Sequence, residues 1–208
     1  FTPCPSVLIL DDLASVAHPE WLPRRYAIPH ARATRASVAR ADRIVTATEF
    51  MKSEMVRRRG ADPARIDVVP FGISPRFFER VPQAAIEAVK LRHGIANPYL
   101  LSINDIHPRK NLDGLVEAFG LLKAETGVDH SLVFVGRTLW RYPSFQEKVK
   151  HSKWRDDIVL AGYVDAADLG PLYQGASLFV YPSFYEGWGL QVHEAMCAGV
   201  PVAVSRDS

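Results

Sequence analysis

Residues 99–136 read YLLSINDIHPRKNLDGLVEAFGLLKAETGVDHSLVFVG, and this stretch decides the fold. It opens on a short apolar run, Tyr99–Ile103, that predicts a strand. Asn111–Glu125 then carries Leu112, Leu115, Val116, Phe119 and Leu122 at intervals of three and four, the stripe of a helix with one buried face, and Gly127 closes it. A second apolar run, Ser131–Val135, predicts another strand. Strand, helix and strand in that order form the repeating unit of a parallel sheet with helices on both faces.

The alternation continues outward in both directions. Toward the C-terminus, Phe145–Lys150 reads as part of a helix and Ile158–Leu160 as a strand. Asp165 caps a helix through Tyr173, and Leu178–Tyr181 is a strand. A Gly-rich loop leads into a helix over Leu190–Ala198 stopped by Gly199, and Pro201–Val204 is the last strand. Toward the N-terminus, Ser6–Leu10 reads as a buried strand, and Arg24–Ala41 as an arginine-bearing helix bent or restarted at Pro29. Arg43–Ala47 is a strand, Thr48 caps a helix through Arg59 with Gly60 to stop it, and Ile66–Val69 is a third strand. A turn-rich exit, Phe71 to Pro75, leads into a segment with one helix ended by Gly94. The pattern predicts two doubly wound, Rossmann-like α/β domains, over residues 1–75 and 98–208, joined by a linker over 76–97.

Composition bounds the partners. The chain has 208 residues, 48% hydrophobic and 23% charged, the balance of a globular protein. Its longest apolar runs, such as Val7–Leu10, are far too short to cross a bilayer, and no signal peptide is legible. Cys4 and Cys197 have no metal-ligand spacing and read as free buried thiols in a reducing, cytoplasmic setting. A net charge of +2 gives no sign of a nucleic-acid partner. Residues 1–75 hold eleven Lys/Arg against eight Asp/Glu, and residues 98–208 ten against thirteen. Arg32, Arg35, Arg40 and Arg43 therefore suggest a basic helix face for peripheral contact with anionic lipid at the inner face of the membrane, with a plain solvated face as the alternative.

Ligands of open parallel sheets sit beyond the carboxyl ends of the strands, which singles out the loops after Ile103, Val135, Leu160 and Tyr181. The last runs Pro182-Ser183-Phe184-Tyr185-Glu186-Gly187-Trp188-Gly189 into the helix at Leu190. Gly187 and Gly189 let backbone N–H groups approach a ligand, and the helix presents its positive end, a place suited to phosphate. Glu186 precedes that helix and Glu194 lies a little over one turn inside it. Carboxylates beside phosphate are unfavourable unless they face hydroxyls, whose hydrogen bonds they accept well. The combination predicts a ligand with phosphate in its middle and hydroxyls at both ends, as in a nucleotide sugar. After Ile103, Arg109 and Lys110 stand just ahead of a helix and supply charge for a diphosphate. Taken alone, that pair reads as surface cations; it gains weight because a parallel sheet brings this loop near the Glu186 loop.

Glu186 and Glu194, with seven residues between them, form an E-x7-E pattern. With Pro108-Arg109-Lys110-Asn111, Leu132–Gly136, Gly162-Tyr163-Val164, Glu186-Gly187-Trp188-Gly189-Leu190, Glu194-Ala195-Met196 and Gly199-Val200-Pro201-Val202, it resembles the family-four glycosyltransferases of the GT-B fold. Ala41–Val45 and Val68–Ile73 resemble that family's pattern ahead of its linker. The resemblance implies a retaining hexosyltransferase of polysaccharide biosynthesis, with a nucleotide sugar and a glycan acceptor as partners. It implies that Arg109 and Lys110 neutralise the donor diphosphate, and that Glu186 holds donor-sugar hydroxyls. Gly187, Trp188, Gly189 and Leu190 would present backbone N–H groups, Glu194 would take the ribose hydroxyls, and Val164 would lie against the base. Neither carboxylate is expected to support the core. No metal and no cofactor beyond the donor substrate are implied, so Asp11-Asp12 and Asp156-Asp157 read as ordinary polar residues. The Pro108–Asn111 loop resembles that of mannosyl- and rhamnosyltransferases, which favours mannose and GDP-mannose.

The resemblance also implies an acceptor domain over 1–75 that is incomplete, and a donor domain over 98–208 lacking its C-terminal end. Two departures stand out. Asn104-Asp105 occupies a position where many relatives carry Gly-Arg, and Asp11-Asp12 one where they carry His-Asp. These departures keep a second reading open, a non-catalytic nucleotide-sugar-binding module on the same fold.

Overall fold

Val7–Ile9 (β1), Arg43–Thr46 (β2) and Ile66–Val68 (β3) pair in parallel in the order β1-β2-β3. They belong to a computed structural model that describes residues 4–137 and 142–206. The chain divides into two compact units, residues 1–72 with 185–189, and residues 73–184 with 190–208.

In the first unit, a short helix over Ala14–Ala17 (α1), absent from the sequence-based expectation, starts where Asp12 Oδ1 accepts from the Ala14 amide at 3.0 Å. The long helix Arg24–Arg40 (α2) runs without a restart through Pro29. Proline there removes one hydrogen bond near the helix start, while Ala27, Thr34 and Val38 keep the face packed. Thr48 caps Glu49–Arg59 (α3), its hydroxyl accepting from the Met51 amide at 3.1 Å, and Gly60 stops that helix in the left-handed conformation. Leu13, Val38, Ile44, Met51, Met55 and Ile66 form the core, with Tyr185 among them. The expectation of a buried first strand is not met: β1 lies at the sheet edge, Leu8 is half-buried, and Val7 and Ile9, on the opposite face, are each 64% exposed.

The second unit holds Tyr99–Ile103 (β4), Ser131–Val135 (β5), Ile158–Gly162 (β6), Leu178–Tyr181 (β7) and Val202–Val204 (β8), all parallel, in the order β6-β5-β4-β7-β8. The chain leaves β4 toward β5 and β6, then returns to the other side of β4 for β7 and β8. That reversal makes the sheet doubly wound and puts its topological switch point between β4 and β7. Gln83–Arg92 (α4), Leu112–Thr126 (α5), Pro143–Lys150 (α6), Ala166–Gln174 (α7) and Leu190–Cys197 (α8) complete the unit.

Successive residues of a strand face opposite sides, and here both sides are covered. Tyr99, Leu101, Val133 and Val135 join Phe77, Leu172, Tyr173 and Phe179 in one cluster. Leu100, Leu132 and Phe134 join Leu112, Leu115, Phe119 and Phe145 in the other. Each of these large side chains contributes on the order of 1.5–3 kcal/mol on burial, which is why the central strands are apolar at almost every position.

Residues 76–97, expected to stand between the domains, pack within the second unit. Asp168 of α7 is buried and takes Arg92 at 2.6 Å and His93 at 2.8 Å, at the end of α4, so burying that carboxylate binds the helix to the unit. Asp165 precedes α7 as expected, but its side chain makes no capping hydrogen bond. Cys4 is exposed and Cys197 half-buried, which corrects the expectation of two buried thiols.

Candidate functional site

The two loops that leave the switch point are joined. After β4 a 3₁₀ turn over Pro108–Lys110 is capped by His107, whose Nδ1 accepts from the Arg109 amide at 3.1 Å. After β7 the Phe184 amide donates to the Arg109 carbonyl at 2.9 Å. His107 is thus half-buried and shapes the turn that carries the two cations.

Lys110 is 7% exposed. Its Nζ lies 2.5 Å from the Tyr181 hydroxyl and 4.6 Å from the centre of that ring. The Tyr181 hydroxyl in turn donates to Gln191 Oε1, in the first turn of α8, at 3.1 Å. This row of contacts links β4, β7 and α8 across the switch point. Tyr181 and Gln191 were not singled out in the sequence, because a tyrosine closing an apolar strand reads as core. Arg109 is half-buried beside Lys110.

Glu194 is half-buried, and its Oε2 accepts from the Tyr173 hydroxyl at 2.8 Å. Burial pushes its carboxyl above the ordinary range, against the opposing pull of the Tyr173 hydrogen bond and the Arg76 charge. Tyr173 is completely buried in the core, so the expectation that neither carboxylate supports the core is corrected for Glu194.

Residues 185–189 are counted with the first unit. Tyr185 is buried there, its hydroxyl donating to Glu54 at 3.3 Å, and Thr48 donates to the Gly187 carbonyl at 3.0 Å. A Cβ on Gly187 would stand 1.8 Å from the Asp11 carbonyl oxygen, so the close approach that demands glycine is to the loop after β1. Gly189 has φ +71, a turn requirement. Trp188 stands edge-on to Phe71 at 6.4 Å, and Glu186 is half-buried.

A cavity of about 420 Å³ opens beyond β4, β5 and β6. Ile103, Val135, Val164 and Leu169 give it apolar walls, and Asp105, Arg137 and Gln191 give it polar ones. Asp105, noted in the sequence only as a departure, pairs with Arg137 at 3.1 Å. Asp156 and Asp157 lie in a 3₁₀ turn, where Asp157 pairs with Lys123 at 2.9 Å.

The family described as glycosyl transferases group 1 matches residues 85–208, and the one described as Glycosyltransferase Family 4 matches residues 5–77. The O-antigen chain mannosyltransferase B of Escherichia coli is 32% identical over 201 residues, which are 97% of this chain and 53% of that protein. A D-inositol 3-phosphate glycosyltransferase of Catenulispora acidiphila is 32% identical over 174 residues, 80% of this chain and 40% of that protein. The chain thus spans about half the length, or less, of these relatives. Among solved structures, WaaG, a glycosyltransferase involved in lipopolysaccharide biosynthesis, superimposes with a TM-score of 0.79 at 22% identity, covering all of this chain and 58% of that one. HepE of Anabaena, in complex with UDP and glucose, has the same score at 18% identity over 98% of this chain and 53% of its own.

Proposed function

The chain belongs to the glycosyl transferases group 1 family, and from that premise we propose that the protein transfers a hexose, mannose, from a nucleoside diphosphate sugar to a glycan hydroxyl in polysaccharide biosynthesis. The observation that carries this reading is Lys110, an ammonium buried at the switch point beside the first turn of α8. A cation held there, largely shielded from water, is placed to stabilise the charge that develops on a departing diphosphate. Arg109 shares that role. The donor's sugar hydroxyls go to Glu186 and its ribose hydroxyls to Glu194. Backbone N–H groups of Gly187, Trp188, Gly189 and Leu190 meet the phosphates, and Val164 lies against the base. Transfer proceeds with retention and without a metal: the acceptor attacks on the face the diphosphate leaves, and a leaving phosphate oxygen takes its proton. Such chemistry rests on positioning and on stabilising leaving-group charge.

The test is release of nucleoside diphosphate by the full-length protein from a panel of donors, with GDP-mannose expected to react. Glu186→Ala removes a charged hydrogen bond worth roughly 1.5–3 kcal/mol, so kcat/KM should fall about tenfold to hundredfold, with kcat itself lowered. Normal transfer by that variant would falsify the role of Glu186. At Glu194 the cleaner variant is Glu194→Gln, whose amide oxygen still accepts from Tyr173. It should raise KM with little change in kcat, whereas Glu194→Ala should also lower the melting temperature by stranding a buried hydroxyl.

Membrane contact is proposed on the first unit. α2 holds Arg24, Arg25, Arg32, Arg35 and Arg40 and no acidic residue. Arg24, Arg25, Arg32 and Arg35 share an exposed side with Ile28, which is 53% exposed. Arg43, expected to join them, belongs to β2 and pairs with Asp67. At about 1 kcal/mol per arginine near an anionic surface, four residues support reversible binding. Sedimentation with anionic vesicles should show binding at low salt and none at high salt. Binding that ignores salt, or its absence at low salt, overturns the proposal. Among the described residues no helix is long and apolar enough to cross a membrane.

A further inference from the structure

The Asp105–Arg137 pair sits at the cavity beyond β4 and β5 and has more hydrogen-bonding capacity than the loops need. Those loops are already stitched by backbone: the Asn104 amide donates to the Val135 carbonyl at 2.8 Å, and the Ile106 amide to the Arg137 carbonyl at 3.0 Å. The side chains add a fork. Arg137 Nε reaches Asp105 Oδ1 at 3.2 Å and Nη2 reaches Oδ2 at 3.1 Å, and the Arg137 amide also donates to Oδ1 at 3.2 Å. Side-chain exposures of 55% and 40% make the pair too wet to contribute much to stability. The fork fixes the plane of the guanidinium and leaves Nη1, with its two N–H donors, uncommitted among the described residues.

We propose that Arg137, oriented by Asp105, donates from that remaining edge to an acceptor atom of the nucleoside diphosphate donor, and so is a specificity-determining contact of the cavity. The proposal rests on the donor-binding reading above. The cavity has the composition of a nucleotide pocket, with apolar walls from Ile103, Val135, Val164 and Leu169 and a few polar groups to set orientation. A guanidinium already held by a carboxylate surrenders less side-chain freedom when the ligand arrives, which raises what one added hydrogen bond is worth. Asp105 acts through Arg137 and is therefore a positioning residue. The acceptor belongs either to a phosphate or to the base and ribose, and both present oxygen or nitrogen acceptors to the same donor edge.

Calorimetric titration of the full-length protein with GDP, UDP and the two free nucleosides tests this. Arg137→Ala should weaken nucleoside diphosphate binding about tenfold, the loss of one charge-assisted hydrogen bond. Asp105→Asn should weaken it less, and the double variant should bind no worse than Arg137→Ala, because the two residues act as one. Arg137→Lys, which keeps charge but loses the fork, should fall between wild type and Arg137→Ala and guards against loss of fold. A loss confined to the diphosphates identifies a phosphate as the acceptor; a loss shared by the nucleosides identifies the base or ribose. Unchanged affinity in Arg137→Ala and Arg137→Lys, or additive effects of the two positions, overturns this inference alone. A wild type that binds neither diphosphate overturns it together with the donor-binding reading.

Discussion

Replacing Lys110 with alanine should lower kcat by about 10²–10³, the loss that follows removal of one preorganised donor facing developing charge. At 7% exposure, with the Tyr181 hydroxyl at 2.5 Å and the ring beneath it, the Lys110 ammonium stands largely out of water. In the proposed reaction, leaving-group departure would place negative charge beside the first turn of α8, next to Gln191 and Tyr181, where the buried cation has little water to screen it. Lys110→Met, which fills the same space without charge, should be equally slow and should fold, so that loss of packing is separated from loss of charge. Tyr181→Phe should have a smaller effect, since the ring remains while the hydroxyl that links Lys110 to Gln191 is gone. Nucleoside diphosphate release by the full-length protein is the readout. A Lys110→Met variant within threefold of wild type would remove Lys110 from the reaction.

Gly136→Ala should destabilise the second unit by about 2–6 kcal/mol, combining backbone strain and overpacking of about 1–3 kcal/mol each. Gly136 directly follows β5 with φ +145, a conformation that side chains rarely adopt. A Cβ there would lie 1.8 Å from the carbonyl oxygen of Asn104 and 2.5 Å from its carbon. Both neighbours are backbone, so no side chain can swing away. Gly136 also donates to the Gly162 carbonyl at 2.8 Å, which ties β5 to β6 at the rim of the cavity. Gly127→Ala is the control, since its φ is +66 but nothing lies within 4 Å of the added carbon. It should cost only strain, about 1–2 kcal/mol. Equal melting temperatures for the two variants would show that crowding against Asn104 contributes nothing.

Much of the fold was legible because it rests on local rules. Tyr99–Ile103, Ser131–Val135 and Leu178–Tyr181 were read to the residue, and Thr48 and Gly60 bound α3 as their chemistry requires. Such features depend on a few neighbouring residues, and so does the stripe of α5. The chain's edges were less legible. Val7 and Ile9 have a core composition yet lie exposed, because an edge strand's environment depends on what pairs with it. The short helix α1 has no long apolar period to announce it.

The candidate site divides along the same line. That loops after β4 and β7 carry cations, glycines and carboxylates was visible in the chain order, because a doubly wound sheet gathers the loops at one end of its strands. Which partner each residue takes was not. Lys110 on Tyr181, Glu194 on Tyr173 and Arg137 on Asp105 join residues 71, 21 and 32 positions apart. Gly187 shows the limit most clearly: its sequence context pointed to a ligand, and its Cβ position is blocked by the carbonyl of Asp11. Local pattern determines helix, strand and turn because those are settled by nearby backbone and side chains. Long-range packing alone decides which charges are buried, which carboxylates are already occupied and which donors are left for a ligand.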